Sequence, residues 1–243
     1  MSLRFNISKC VAWAPGLESE QDWQLWQQGD KPLSDELTLP QLTAIPAMQR
    51  RRLSPFAKIA LHCALEASGE YQSNIPCVFS SRHGDLHRTT NLIENIALKK
   101  DLSPTQFGLS VHNAAAGLFS IFTGNRAPLS AISGGQSSFM QGLLDAVAKL
   151  QVNNLSRILY VYCDLNVPEC YRPYVVDDTS LAIGLLIEAS EDDTNTYSFS
   201  YSALENKVES DCQGLDFMGF ILSNKSQLLA KIHQQTWLLQ RGN

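Results

Sequence analysis

The chain has 243 residues, of which 44% are hydrophobic and 18% charged, so it can bury a sizeable core, and one large domain is expected over residues 1–243. Its net charge of -5, with no basic cluster beyond Arg50-Arg51-Arg52, excludes the electrostatic footprint of a nucleic-acid-wrapping protein. No run approaches the roughly 18–20 apolar residues of a spanning helix, and Met1–Pro15 lacks an apolar leader with a cleavage site. The expectation is a cytoplasmic protein with neither a nucleic acid nor a membrane as partner.

Residues Phe5–Trp13 alternate apolar and polar and read as a strand that ends at Pro15-Gly16. An acidic opening and the cluster Trp23, Leu25 and Trp26 predict a short helix over Glu18–Trp26, followed by an irregular excursion through Pro32, Pro40 and Pro46. Ser54-Pro55 supplies an N-cap and a first-turn proline, and Phe56, Ile59, Ala60, Cys63, Ala64 and Ala67 recur at helical spacing up to Gly69. The small residues on that stripe imply close packing. His62, beside the stripe, reads as a structural histidine.

Ile75–Ser80 is a short β-like run that leads through Ser81-Arg82-His83-Gly84-Asp85 into a helix ending near Ala97. A strand, glycine turn and helix in succession is where an α/β fold commonly builds a site. His83 and His87 are spaced like a metal pair, but the segment offers only Asp85 as a third ligand, so no metal is expected. Strands are predicted at Arg157–Asp164, Ser180–Ala189 and Tyr197–Leu204, and a final amphipathic helix carries Leu228, Leu229, Ile232, Trp237 and Leu238. Interleaved strands and helices make the fold α/β, a mixed sheet flanked by helices. The six cysteines show no CxxC spacing and read as reduced, mostly buried thiols.

Between Gly108 and Val147 the pattern is helix, turn, strand, glycine elbow and second helix. Pro128–Ser133 runs into Gly134-Gly135, and Phe139, Leu143, Leu144 and Val147 mark the buried face of the helix beyond. Such an elbow tolerates positive φ and presents the next side chain at the positive end of a helix dipole, where a thiolate would be stabilised. Here the presented residue is Gln136, whose amide has no useful nucleophilicity. Gly135-Gln136-Ser137-Ser138-Phe139 also lacks the second glycine of the GxSxG elbow, so Ser137 reads as an ordinary first-turn residue.

Ser110-Val111-His112-Asn113, followed by Gly117, Gly124, Pro128 and the elbow, resembles the β-ketoacyl synthases of the thiolase fold. In those enzymes a similar helix, turn and strand lead to a catalytic cysteine, and the ungapped interval from Asn113 places Gln136 on it. Ser81-Arg82-His83-Gly84, Ser103-Pro104, the RRRLSPFAKIAL segment and the ILYVYCD and AIGLLIEAS strands fit the N-terminal half of that family, up to about Ala189. The resemblance implies the N-terminal half of a thiolase-like fold, followed by a C-terminal strand and helix over 191–243.

Two departures shape the expected function. The cysteine-to-glutamine exchange is the one that marks chain length factors, the silent partners of type II polyketide ketosynthases. The HGT and NxxH-like histidine motifs of the family's second half are absent, and neither His112 nor His233 lies in one. Losing members of a concerted catalytic set removes several powers of ten in rate. The resemblance therefore implies a heteromer with a full-length ketosynthase, in which this chain shapes the acyl tunnel during elongation of an aryl polyene, polyketide or fatty acid-like chain. Two alternatives stay open: a residual malonyl-carrier decarboxylase using Gln136, and a homodimeric acyl-binding protein.

By the same resemblance, His87, Thr90, Asn91 and Phe107 are the acyl-tunnel candidates. The strand Leu129, Ser130, Ala131, Ile132 and Ser133, with His112 and Asn113, is the interface candidate, and Gly134 and Gly135 form the elbow. Arg50, Arg51 and Arg52 are candidates for docking an acidic acyl carrier protein. No cofactor is expected on the chain itself, because phosphopantetheine arrives on the carrier.

Overall fold

A computed structural model describes residues 3–190, 196–202, 210–232 and 235–242. The described residues form an eight-stranded mixed sheet in the order β3-β2-β4-β5-β1-β6-β8-β7. Its strands are β1 (Leu3–Trp13), β2 (Cys77–Ser80), β3 (Leu129–Ile132), β4 (Arg157–Asp164), β5 (Leu181–Glu188), β6 (Tyr197–Ser202), β7 (Gln227–Ile232) and β8 (Gln235–Arg241). The helices are α1 (Glu20–Gln28), α2 (Ala47–Arg50), α3 (Pro55–Ser68), α4 (Leu86–Ala97), α5 (Pro104–Gly108), α6 (Ala114–Thr123), α7 (Ser138–Val152) and α8 (Gln213–Ile221).

Strands β3, β2 and β4 are parallel neighbours, and β5 and β1 continue the sheet antiparallel. The chain leaves β2 toward β3 on one side and then returns to β4 on the other. The C-terminal ends of these three strands therefore surround a topological switch point, the usual location of a crevice in an α/β sheet. β3 is the first strand of the order, so one of its edges is unpaired among the described residues.

Two apolar clusters lie on opposite faces of the sheet. On one face α7 and α8 pack through Phe139, Leu143, Val147, Phe217 and Phe220 against Val78, Tyr160 and Ile183. On the other, α3 and α6 pack through Ile59, Cys63, Ala67 and Phe119 against Phe79, Leu159 and Ala182. The small residues of α3 matter at one point above all, because a Cβ on Gly184 of β5 would sit 2.4 Å from the Cys63 carbonyl oxygen.

Local signals account for most helix ends. Ser54 Oγ accepts from the Ala57 N–H at 3.1 Å with Pro55 in the first turn, and the Asp85 side chain caps α4 through the Arg88 N–H. Ser19 and Asp22 form a reciprocal capping box on α1. Gly29 and Gly124 end α1 and α6 in the left-handed region, at φ 85° and 69°.

The C-terminal expectation is wrong. Leu228, Leu229, Ile232, Trp237 and Leu238 lie on the antiparallel strands β7 and β8, not on one helix, and among the described residues the helix of this region is α8, upstream. Their spacing fits either element, and tertiary pairing decides it. Trp237 stacks on Phe199 at 5.5 Å between ring centroids, packs edge-on against Tyr201 at 4.6 Å, and joins the buried core. The predicted strand end at 203–204 lies outside the described residues, as does His233.

Cys63, Cys77, Cys163 and Cys212 are buried, Cys10 is half-buried and Cys170 is exposed, all as free thiols. Among the described residues no helix is long and apolar enough to cross a membrane.

Candidate functional site

The elbow after β3 forms as its glycines predict. Gly135 has φ +59°, and Gln136 follows it in a short 3-10 turn, Gly135–Ser137, that runs directly into α7. Ser138 staples the turn, donating from Oγ to the Gly135 carbonyl at 2.7 Å and accepting from the Gly134 N–H at 3.0 Å. A further first-turn donor, the Met140 N–H, reaches Oε1 of the buried Gln213 of α8 at 3.2 Å.

From below, Ser80 Oγ donates to the Ser138 carbonyl and Tyr160 Oη to the Phe139 carbonyl, both at 2.6 Å. Helix α7 can sit this close because residue 142 is glycine; a Cβ there would meet the Ser80 Cβ at 2.5 Å. The elbow is thus a rigid platform that holds Gln136 half-buried, with no side-chain hydrogen bond within the described residues. At the positive end of α7, a carboxamide can donate or accept a hydrogen bond but cannot attack a thioester.

The turn after β2 is built around Asp164, the last residue of β4. Its buried carboxylate accepts from Ser81 Oγ at 2.7 Å and from the backbone N–H groups of Arg82 and His83. Burial raises the Asp164 pKa above the ordinary carboxylate value, and the hydrogen bonds from Arg82 and Ser81 pull against that rise. Burial also lowers the pKa of His83, whose Nε2 has no partner among the described residues. Ser133 Oγ donates to the Arg82 carbonyl at 3.1 Å, and His112 Nε2 bonds the Ser81 carbonyl at 2.9 Å. The His112 ring packs over Gly84, whose φ is +63°. The ends of β2, β3 and β4 and the start of α6 are therefore one hydrogen-bonded unit. Asp164 and Gln213 escaped sequence reasoning, and the only local trace of the first is an acid that closes the apolar ILYVYC run.

The tunnel candidates are less uniform than expected. His87 is exposed but engaged, with Nε2 2.8 Å from the Asn166 carbonyl oxygen. Thr90 is buried and donates back to the Leu86 carbonyl at 2.8 Å, whereas Asn91 is exposed. Phe107, on α5, is 61% exposed. Arg88 joins α4 to α5 by pairing with Asp85 and bonding Gln106.

Several large apolar side chains of these and neighbouring elements are left uncovered among the described residues. Ile93 and Ile96 of α4, Phe107, Val111, Ile121 of α6 and Leu129 of β3 are all exposed large side chains. α4 is strongly amphipathic, yet Ile93 and Ile96 on its apolar side face outward, an arrangement typical of a surface that another subunit covers.

The strand Leu129–Ile132 is as predicted, with Ser133 just beyond it. The Pro128 and Ile132 carbonyls accept from Cys77 and Ser81, so by the two-residue period the backbone groups of Leu129 and Ala131 point to the free edge. Asn113 is exposed at the start of α6.

The three arginines separate. Arg50 and Arg51 line a cleft of about 340 Å³ with Lys58, Leu39, Pro40, Gln41 and Thr43, and Arg50 is tethered to the Leu42 carbonyl at 3.0 Å. Arg52 lines a different, small cavity whose wall also includes Asp85 and Arg88. Among the described residues no group of three or more His, Cys, Asp or Glu side chains is arranged to hold a metal.

Comparison with known proteins agrees with this geometry. The family model for the beta-ketoacyl synthase N-terminal domain matches residues 23–240. A chain in the structure of the ketosynthase (ApeO) in complex with its chain length factor (ApeC) from Xenorhabdus doucetiae matches at 27% identity with a TM-score of 0.84. That match covers 98% of this chain and 100% of the other. The ishigamide ketosynthase/chain length factor matches with a TM-score of 0.56 at 16% identity, over 77% of this chain and 62% of that one. A ketosynthase from module 1 of the bacillaene synthase of Bacillus amyloliquefaciens FZB42 matches with a TM-score of 0.56 at 12% identity, over 77% of this chain and 42% of that one. These last two share the fold, and this chain spans only part of their length. No curated protein matches the sequence.

Proposed function

Because the chain belongs to the beta-ketoacyl synthase N-terminal domain family, we propose that it is a chain length factor, a catalytically silent subunit that pairs with a full-length ketosynthase and shapes its acyl tunnel. The observation that carries this reading is the edge of β3 left open among the described residues, next to the exposed apolar residues Leu129 of β3 and Ile121 of α6, the helix that packs on β3. An unpaired strand edge next to uncovered apolar surface is a template for association. By the sequence resemblance Gln136 takes the place of the family's nucleophile, and the elbow beside β3 carries that carboxamide, so the platform fits an interface better than autonomous condensation.

In the heteromer the strand Leu129–Ser133 pairs with its counterpart in the ketosynthase, and α4 and α5 form a tunnel wall. Phe107 is the residue best suited to limit chain length, since a rigid ring blocks a methylene or polyene chain. Thr90 and Asn91 contribute the polar part of that wall, while His87 holds α4 to the loop at Asn166. The cleft of Arg50, Arg51 and Lys58 receives an acidic acyl carrier protein by charge complementarity, and the carrier brings phosphopantetheine. The likeness to the ApeO–ApeC complex, a ketosynthase with its chain length factor, supports a ketosynthase partner, and the sequence resemblance makes an aryl polyene-type acyl chain the first product class to examine.

The test is co-expression with each full-length ketosynthase of the source genome that retains its cysteine, followed by size-exclusion chromatography and mass measurement. The expected result is a stable heteromer with one of them. A homodimer that ignores every ketosynthase overturns the reading.

A further inference from the structure

Of the four residues of β3, three are apolar and Ser130 is not. Ser130 lies level with Val78 of β2 and, like it, faces α7. There its Oγ accepts from Lys149 Nζ at 2.6 Å and donates to Asp145 Oδ2 at 3.2 Å. Lys149 Nζ also donates to the same Asp145 oxygen at 2.5 Å, which closes a three-membered polar ring. The ring sits under the free edge strand, and the Lys149 and Asp145 side chains keep 37% and 29% of their exposure.

An ammonium has three donors and a carboxylate two oxygens. The ring uses two of those donors and one of those oxygens. The remaining donor and Asp145 Oδ1 have no partner among the described residues, and the partly exposed side chains leave both open to solvent. A strand docked on β3 expels part of that solvent, and an ion pair stripped of it is unfavourable unless its remaining valences are met.

We propose that the Ser130–Asp145–Lys149 ring selects the subunit that docks on β3, by requiring a neutral side chain opposite it that both donates and accepts, a carboxamide or a hydroxyl. The proposal rests on the heteromer reading and adds to it the chemistry of the partner surface. A purely apolar partner face leaves the ring half-solvated, and one more lysine or carboxylate unbalances its charge.

The experiment compares the wild-type chain with Asp145→Asn, Lys149→Met and the double variant Asp145→Leu/Lys149→Met, each co-expressed with the ketosynthase that the wild type binds. Affinity is measured by titration, and circular dichroism with a thermal melt of each free variant shows that it folds. Each single variant is expected to lose tenfold or more in affinity. The double variant is expected to stay at least tenfold weaker than wild type, because the partner's polar side chain then faces an apolar ring. Wild-type affinity in either single variant, or its recovery in the double variant, overturns the proposal while leaving the heteromer intact. A wild-type chain that binds no ketosynthase overturns the heteromer reading itself and this proposal with it.

Discussion

Ser81 donates its hydroxyl hydrogen to the buried carboxylate of Asp164 across 2.7 Å, tying the turn after β2 to the end of β4. The same carboxylate holds the Arg82 and His83 N–H groups, and the turn in turn anchors His112 and Ser133. Asp164→Ala leaves one hydroxyl and two backbone donors without their acceptor. A destabilisation of about 3 kcal/mol is expected, since each orphaned buried donor costs about 1–3 kcal/mol, relieved in part by water. Urea titration checks it; a loss below about 1 kcal/mol means that the latch contributes little.

The same residue sets a pH dependence. Its folded-state pKa lies above the ordinary value of about 3.8, so the folded chain holds this proton to higher pH than the unfolded chain does. The stabilisation from that proton is complete below the ordinary value, falls as pH rises through the raised one, and is then flat. Asp22 works in the opposite sense. Its pKa is lowered by hydrogen bonds from Lys31 and then Ser19, so its contribution is present above the ordinary value and lost as pH falls. Subtracting the stability curve of Asp164→Asn from that of wild type should isolate the first slope. Parallel curves from pH 4 upward would sink the assignment.

Gly184→Ala tests the contact between α3 and β5. A Cβ at this position would lie 2.4 Å from the Cys63 carbonyl oxygen and 3.0 Å from the Ala67 Cβ, so helix and sheet must part. The expected loss is about 3 kcal/mol, the upper range for overpacking a tight core. A thermal midpoint unchanged within error would show that the layer yields more easily than its packing implies.

Thiol labelling reads the burial of the cysteines. Desolvation pushes the Cys77 thiol up to about 12 and raises those of Cys63, Cys163 and Cys212, all of which are buried. Cys10, half-buried, is also pushed up to about 12. At neutral pH a maleimide should react quickly with Cys170 alone, and with all six cysteines after denaturation. Rapid native labelling of Cys77 or Cys163, located by peptide mapping, would contradict the core described above.

Two substitutions address the proposed function. Phe107→Ala in the heteromer is expected to lengthen the product, and an unchanged chain-length distribution would remove Phe107 as the gate. Ala131→Pro removes an N–H that points to the free edge of β3, away from the ladder with β2. It should abolish heteromer assembly while shifting the melting temperature of the free chain by only a few degrees. Separately, no carbon dioxide release above background is expected from the isolated chain with malonyl-carrier; release that Gln136→Ala abolishes would revive the decarboxylase alternative.

Much of this protein was legible along the chain because its signals are local. Ser54-Pro55 and Asp85 start α3 and α4, the paired glycines turn β3 into α7, and the apolar run Arg157–Asp164 is a buried strand. Each depends on dihedral preferences or on hydrogen bonds within one turn, which neighbouring residues set among themselves. The placement of Gln136 at the elbow followed from those signals alone.

Only the tertiary structure decided the rest. Leu228–Ile232 and Gln235–Leu238 pair as antiparallel strands because β8 finds β6 and Trp237 finds Phe199, a choice that periodicity cannot make. Asp164 meets Ser81 across 83 positions of sequence, and Ser130 meets Lys149 only after β3 and α7 have packed. The free edge of β3, on which the proposed function turns, is a property of strand order. Strand order arises from which distant backbone groups pair, and no residue of Leu129–Ile132 records by itself which of its edges will remain open.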